Sequence, residues 1–263
     1  MTADRREDHV SLLISGRVAH VTLERRAHSN ALNQRMRALL AARIAEAAAT
    51  PEIAVIVLAG GGDAAFAAGA DIEELSGLSP DESMALSASI AALHAQIEAV
   101  PQPVIAAVRG WCLGGGLELA LAADIRIAGA SARFGLPEIT LGILPGGGGM
   151  ARLTRTIGAA AARHLCFTGA IIDAPRAFAL NLVSEVHADD VFDTRVQELA
   201  AMLAGFSRPA LAALKEAFRR DDGAALPQAI AEEARIGAAL YGSAEQRAAM
   251  TAFLTRRARR PDK

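Results

Sequence analysis

Two acidic side chains and a stretch of bare backbone lie close together in this sequence. Trp111-Cys112-Leu113-Gly114-Gly115-Gly116-Leu117-Glu118 is followed by Phe134-Gly135-Leu136-Pro137-Glu138, which sets the two glutamates 20 residues apart. Three consecutive glycines strip side chains from a turn, so backbone N–H groups can approach a ligand where a helix begins. Such amides suit an anion, or an oxygen on which negative charge develops, and a pair of carboxyl groups suits proton transfer. Glu118 falls on the first turn of a helix through Leu121, whereas Glu138 follows a proline that opens a separate short element. The fold has to bring them together.

Each feature alone has an ordinary explanation. A glycine triplet after a strand more often makes a tight turn or a dinucleotide loop, but no G-x-G-x-x-G registers at Gly114. Gly146 to Gly149 precedes Met150-Ala151 rather than the Lys-Ser/Thr of a phosphate loop. Glu118 and Glu138 could merely favour helix dipoles, and Asp71 reads as an N-cap as readily as a ligand contact. Asp124 reads as structural and Trp111 as packing. His9, His20, His28, His94, His164 and His187 are scattered without a nucleophile or ligand spacing, and read as solvent-facing or hydrogen-bonded core residues.

The elements that must position this chemistry follow from periodicity. Residues 10–14 and 18–23 are β-favouring runs joined at Ser15-Gly16, which predicts an antiparallel hairpin. Residues 33–48 have helical spacing ended by Pro51, and 53–58 are a fully apolar strand. A helical turn at 71–75 and a long helix over 80–100 come next, closed by Pro101 and Pro103. Residues 104–108, 115–122 and 125–128 read strand, helix, strand. Continuously apolar strands fit a parallel sheet covered on both faces, so the class is α/β. After the four glycines the chain reads as mostly helical, with one short strand at 182–186 and only helices from Ala188 onward.

Composition bounds the function. The chain has 263 residues, 52% hydrophobic, with 27 basic against 29 acidic residues and net charge −2, enough for one large domain or a domain with an appendage. Basic residues are scattered, which gives no footprint for nucleic acid; Arg256, Arg257, Arg259 and Arg260 form a terminal cluster that reads as solvated. Cys112 and Cys166 suggest neither a disulfide framework nor a zinc site, so a reducing cytoplasm is the default. The first residues lack the apolar segment of a secretory signal, and no apolar run reaches the roughly 20 residues a membrane span needs.

Phe66-Ala67-Ala68-Gly69-Ala70-Asp71-Ile72 follows the 53–58 strand as the glycine triplet follows the 104–108 strand, so two loops lie at corresponding strand ends. FAAGADI, then PVIAAVRGWCLGGGLELALAADIRIAG, then FGLPEITLGILPGGGG resemble, in that order, the crotonase superfamily and its enoyl-CoA hydratases, over about residues 30–186. The resemblance implies a crotonase-like spiral of ββα units, with a core over 1–207 that holds a CoA thioester and a C-terminal helical region over 208–263. It implies a homotrimer or a dimer of trimers, an acyl-CoA substrate with no separate cofactor or metal, and no membrane or nucleic-acid partner. By motif position the backbone N–H groups of Ala70 and Gly115 form the oxyanion hole, and Ala68, Asp71, Ile72 and Glu73 line the CoA moiety. Glu118 and Glu138 fall on the two catalytic glutamates.

The chain departs from the pattern at Leu136, where many hydratases have glutamine, and at His28-Ser29, where a proline is frequent before Asn30. The tail over 235–257, with Tyr241 and Phe253, matches more loosely. Hydration of a 2-enoyl thioester is the leading expectation, and Gly115 is expected to tolerate almost no side chain. Moving a 3-enoyl double bond needs only one carboxylate, so finding two favours hydration. Cleavage of hydroxycinnamoyl-type thioesters is disfavoured by a chain with Tyr241 as its one tyrosine. A serine peptidase of the same fold needs a serine that the glycine turn lacks, and a non-catalytic acyl-CoA binding protein needs neither glutamate.

Overall fold

The computed structural model describes residues 8–221, 226–241, 243–248 and 250–251. Strands β1 (His9–Ser15) and β2 (Val18–Glu24) form the expected hairpin, with His9 opposite Glu24 and Ser15 opposite Val18. Helix α1 (Gln34–Ala49) starts where the Asn33 side chain accepts the Met36 N–H at 2.8 Å. Its residues Met36, Leu40, Ile44 and Ala47, spaced three or four apart, form the buried face.

From there one unit repeats: a strand joins a large sheet, a short strand joins a second sheet, and a helical segment returns. The first unit is β3 (Val55–Gly60), β4 (Ala65–Ala67), α2 (Ile72–Leu75) and α3 (Pro80–Ala99). The second is β5 (Val104–Val108), β6 (Trp111–Leu113) and α4 (Gly115–Leu121). The third is β7 (Ile125–Gly129), β8 (Arg133–Gly135) and a 3-10 helix (Pro137–Leu141), followed by α5 (Gly149–Ile157) and α6 (Ala159–Thr168). Strand β9 (Ile172–Asp173), α7 (Ala174–Ala179) and β10 (Glu185–His187) lead to α8 (Asp189–Ala204), α9 (Arg208–Asp221) and α10 (Leu226–Ala238).

The large sheet has the order β1-β2-β3-β5-β7-β10 and the small one β4-β6-β8-β9. From β2 onward the large sheet is parallel, as are β4, β6 and β8, so each unit steps one strand along both sheets and the chain spirals. Both faces at the centre of the large sheet are buried, which is why β3 and β5 are apolar throughout. Val55, Val57, Ile105 and Ile127 pack with Phe192 and Val196 of α8. The alternate residues, Ile56, Leu58, Val104 and Ala106 among them, join the core shared with α1, α3 and α4.

The four strands of the second sheet are two or three residues long, too short to show alternation, and all four were absent from the sequence reading. The strand expected at 53–58 begins two residues later, because Ile53 and Ala54 are buried ahead of the ladder. The strand expected at 182–186 is β10, since Leu182 and Val183 go into the core before pairing begins. In the helical tail expected over 235–257, α10 ends at Ala238, a turn runs to Tyr241, and 244–248 are helical again. Phe253, the arginine cluster and residues 1–7 lie outside the described residues.

Helix α9 is tied to the core by one buried cation. Lys215 Nζ lies 2.8 Å from Asp124 Oδ2 and donates to the carbonyls of Ile97 at 3.0 Å and Gln102 at 3.1 Å. Burial pulls its pKa down, and Asp124 opposes that. Asp124 also accepts the Val104 N–H at 2.7 Å, which gives it the structural role expected. Among the described residues no helix is long and apolar enough to cross a membrane.

Candidate active site

Strands β4 and β6 run parallel and adjacent, so the loops leaving their C-terminal ends lie side by side. Gly69 has φ +114°; a side chain there would meet the Leu113 carbonyl at 3.0 Å and the Gly115 nitrogen at 3.5 Å. A Cβ on Gly115 would lie 3.4 Å from the Ala70 nitrogen. The Ala70 and Gly115 amides are therefore neighbours across the two loops. Among the described residues neither N–H has a hydrogen-bond acceptor. That of Gly115 is one of the unpaired donors of a helix start.

The Ala70 loop is held from behind. The Ala68 N–H donates to the Ser29 carbonyl at 3.0 Å, and the Leu32 N–H donates to the Gly69 carbonyl at 2.8 Å. Buried Asn30 donates to the carbonyls of Gly61 and Ala65 and accepts the Arg25 N–H at 3.0 Å. Asp71 caps α2 by accepting the Glu73 N–H at 3.0 Å and pairs with Arg25 at 2.7 Å. Burial opposes its ionisation, but Arg25 and that amide keep its pKa below the usual value. The Asp71 carboxylate is thus engaged within the protein, while Ile72 and Glu73 are exposed at the loop's edge.

Close approach of α4 to β4 falls on Gly116. A Cβ on Gly116 would sit 2.0 Å from the Ala67 carbonyl oxygen, whereas Gly115 meets only the ordinary contact given above. Gly116 carries the packing constraint, and Gly115 borders the open amides.

Glu118 sits one turn into α4 and is 2% exposed. Its Oε1 accepts the N–H of Gly147 at 2.9 Å and of Gly149 at 2.8 Å. Burial pushes its pKa up; the two amides and the nearby Arg152 restrain the rise. Among the described residues no group bonds to its Oε2. The glycines let the loop close on it, since a Cβ at Gly149 would lie 2.7 Å from Glu118 Cγ, and one at Gly147 2.5 Å from Oε2.

Glu138, on the 3-10 helix after Pro137, reaches the same place: its Oε1 lies 3.0 Å from where a Cβ on Gly114 would be. Its Oε2 is buried without a hydrogen-bond partner among the described residues. Burial, chiefly, lifts its pKa to about 7, its own backbone N–H works the other way, and the charge of Glu118 adds to the rise. A carboxyl group that titrates near neutrality can hold or release a proton at working pH. The structure thus brings both glutamates to the two amide loops.

Other residues were missed or misplaced by the sequence reading. Two of the four glycines, Gly147 and Gly149, are donors to Glu118, contacts that span 29 and 31 residues and leave no local pattern. Trp111, expected to pack, is 43% exposed on β6. His94 is buried and hydrogen-bonded, as expected for a core histidine, and its partner is the Gly147 carbonyl at 2.9 Å. Leu136, in place of the frequent glutamine, is buried.

Comparison with known proteins agrees with this arrangement over nearly the whole chain. The sequence model described as enoyl-CoA hydratase/isomerase matches residues 14–260. A 2,3-dehydroadipyl-CoA hydratase of Escherichia coli is 39% identical over 241 residues, 92% of this chain and 93% of that protein. A short-chain-enoyl-CoA hydratase of Clostridium acetobutylicum is 35% identical over 250 residues, 95% and 96% of the two chains. The crystal structure of an enoyl-CoA hydratase from Bacillus anthracis superposes with a TM-score of 0.91 at 32% identity, covering 95% of this chain and 97% of the other. Spiral topology, paired amide loops and facing glutamates therefore have one common origin: the chain belongs to the enoyl-CoA hydratase/isomerase family of the crotonase superfamily.

Proposed function

We propose that this enzyme adds water across the double bond of 2-enoyl-CoA thioesters. The observation that carries the reading is a pair of electrostatically coupled glutamates, Glu118 buried and Glu138 half-buried, beside two neighbouring main-chain amides that lack acceptors among the described residues. The thioester oxygen takes hydrogen bonds from the Ala70 and Gly115 N–H groups, which stabilise the negative charge that builds there as water attacks C3. Each such donor is worth roughly 3 to 4 kcal/mol of barrier.

Glu118, with Oε1 fixed by two amides, turns Oε2 to the attacking water and receives its proton. Glu138 delivers a proton to C2. The balance is one C3–O bond and one C2–H bond formed, the double bond consumed, and one proton moved from Glu118 to Glu138 before the next turnover. CoA is the substrate's handle, and proton transfer with carbonyl polarisation needs no separate cofactor or metal. The loop with Ala68, Asp71, Ile72 and Glu73 lies along CoA, mainly through backbone.

The same reading carries a core over 1–207, a helical region over 208–263, a homotrimer or dimer of trimers, and a cytoplasmic enzyme. Exposed Leu214, Phe218, Ile230 and Tyr241 on the C-terminal segment support a subunit-contact face. The test is a panel that includes crotonyl-CoA and 2,3-dehydroadipyl-CoA beside 3-enoyl-CoA thioesters, scored by mass for water gain against double-bond migration. Water gain by the wild type, lost in Glu118→Gln and in Glu138→Gln, is expected. Migration without water gain would make the protein an isomerase, and undiminished hydration by either variant would overturn the assignment.

A further inference from the structure

The geometry points to His94 as a positioning residue for Glu118, acting through the peptide plane between Gly147 and Gly148; the inference rests on the hydration reading above. His94 Nδ1 lies 2.9 Å from the Gly147 carbonyl oxygen, and because a carbonyl only accepts, Nδ1 carries the proton and donates. Arg152 Nη1 donates to the same oxygen at 2.9 Å, and its Nε is tied to Glu98 at 2.6 Å. The carbonyl so held belongs to the peptide lying between the two that supply Gly147 N–H and Gly149 N–H to Glu118.

That middle plane needs holding. Gly146 to Gly149 carry no side chains, so their backbone torsions are soft, and Gly148 takes φ +92°. Side-chain packing cannot fix the loop; two donors on its central carbonyl can. The groups facing Glu118 are Arg152 from α5 and Glu138 from the 3-10 helix, with Glu98 from α3 behind Arg152. His94 differs from these in adding no charge. Burial keeps it neutral down to about pH 4, so it remains an uncharged donor across the working range.

The loop amides, together with Arg152, restrain the rise that burial causes in Glu118's pKa, so loosening the amides should raise it further. An ionised Glu118 is required to take the water's proton, and the acid limb of kcat/KM reports that ionisation. A residue that only filled the core would not move this limb.

The experiment compares His94→Leu and His94→Phe, which lack the donor, with His94→Asn, whose amide N–H can take the place of Nδ1–H. Hydration of crotonyl-CoA by the wild type and its loss in Glu118→Gln are established first; failure there overturns the hydration reading rather than this one. Folded donor-free variants are expected to lose about tenfold in kcat with little change in KM. Their acid limb should move up by about half a pH unit or more, and His94→Asn should restore most of both. An unmoved acid limb, an asparagine variant as impaired as the leucine one, or failure of both donor-free variants to fold would each overturn the inference.

Discussion

Replacing Glu138 by glutamine should abolish hydration and at the same time stabilise the protein increasingly as pH rises. In the folded chain burial lifts Glu138 from 4.5 to about 7. Below pH 4.5 folded and unfolded chains both hold the proton, so nothing is lost there. Between 4.5 and about 7 the unfolded chain ionises while the folded one keeps its proton, so wild-type stability falls across that window and levels off above it. A raised carboxylate pKa thus gives stability present at low pH and lost as pH climbs, the reverse of an ion-paired acid. Each pH unit of the window is worth about 1.4 kcal/mol, which sets an upper bound of about 3.5 kcal/mol. Water still reaches part of this carboxylate, and that screening brings the expected loss to about 2 kcal/mol.

Glutamine does not titrate, so the variant escapes this loss. Its amide would face the unmet hydrogen-bonding position of Glu138 Oε2, but that penalty is the same at every pH. The diagnostic is therefore the widening of the gap between the two proteins. For a chain of this size each kcal/mol moves Tm by roughly 2 to 4 °C, so Tm of the variant relative to wild type should rise by about 4 to 8 °C from about pH 5 to about pH 8. Scanning fluorimetry at one protein concentration measures it, since any assembly would make Tm depend on concentration. Parallel Tm curves across that range would refute the claim that Glu138 is held protonated by its surroundings.

The adjacent glycines should separate catalysis from folding. Gly115→Ala meets an ordinary 3.4 Å contact beside the Ala70 N–H, so Tm should hold within a few degrees while kcat falls about a hundredfold. Gly116→Ala drives a methyl to 2.0 Å from the Ala67 carbonyl and should cost at least ~3 kcal/mol, seen as low solubility or a Tm drop of about 10 °C; an unchanged Tm would show that α4 does not bear on β4 there. Lys215→Ala removes the cation that joins α9 to Asp124 and two carbonyls, and urea unfolding should show a loss of about 3 kcal/mol, with Lys215→Met losing less.

Legibility in the sequence followed the range over which each feature is encoded. The hairpin, α1 and the long α3 are local, and the apolar runs of β3 and β5 announce a sheet buried on both sides. The glutamates and both amide loops could be read because glycines and carboxyl groups beside strand ends are rare enough to carry a motif. The second sheet left no such trace: Trp111–Leu113 or Arg133–Gly135 offers three residues, fewer than any periodicity needs. The shell around Glu118 was equally hidden, since Gly147, Gly149, His94 and Arg152 meet only because the spiral brings α3, α4 and α5 around one loop. Trp111 shows the opposite error, a large aromatic assigned to packing that the chain itself leaves uncovered.

The amides of Ala70 and Gly115 belong to the main chain, and every amino acid except proline carries that donor. Point mutation can crowd or displace them but can hardly delete them. On the proposed mechanism, electrophile activation is therefore the durable half of this apparatus, while the fate of the resulting enolate hangs on two replaceable side chains. Drift at positions 118 and 138 would leave an enzyme still able to polarise a thioester and open to new chemistry at the neighbouring carbons.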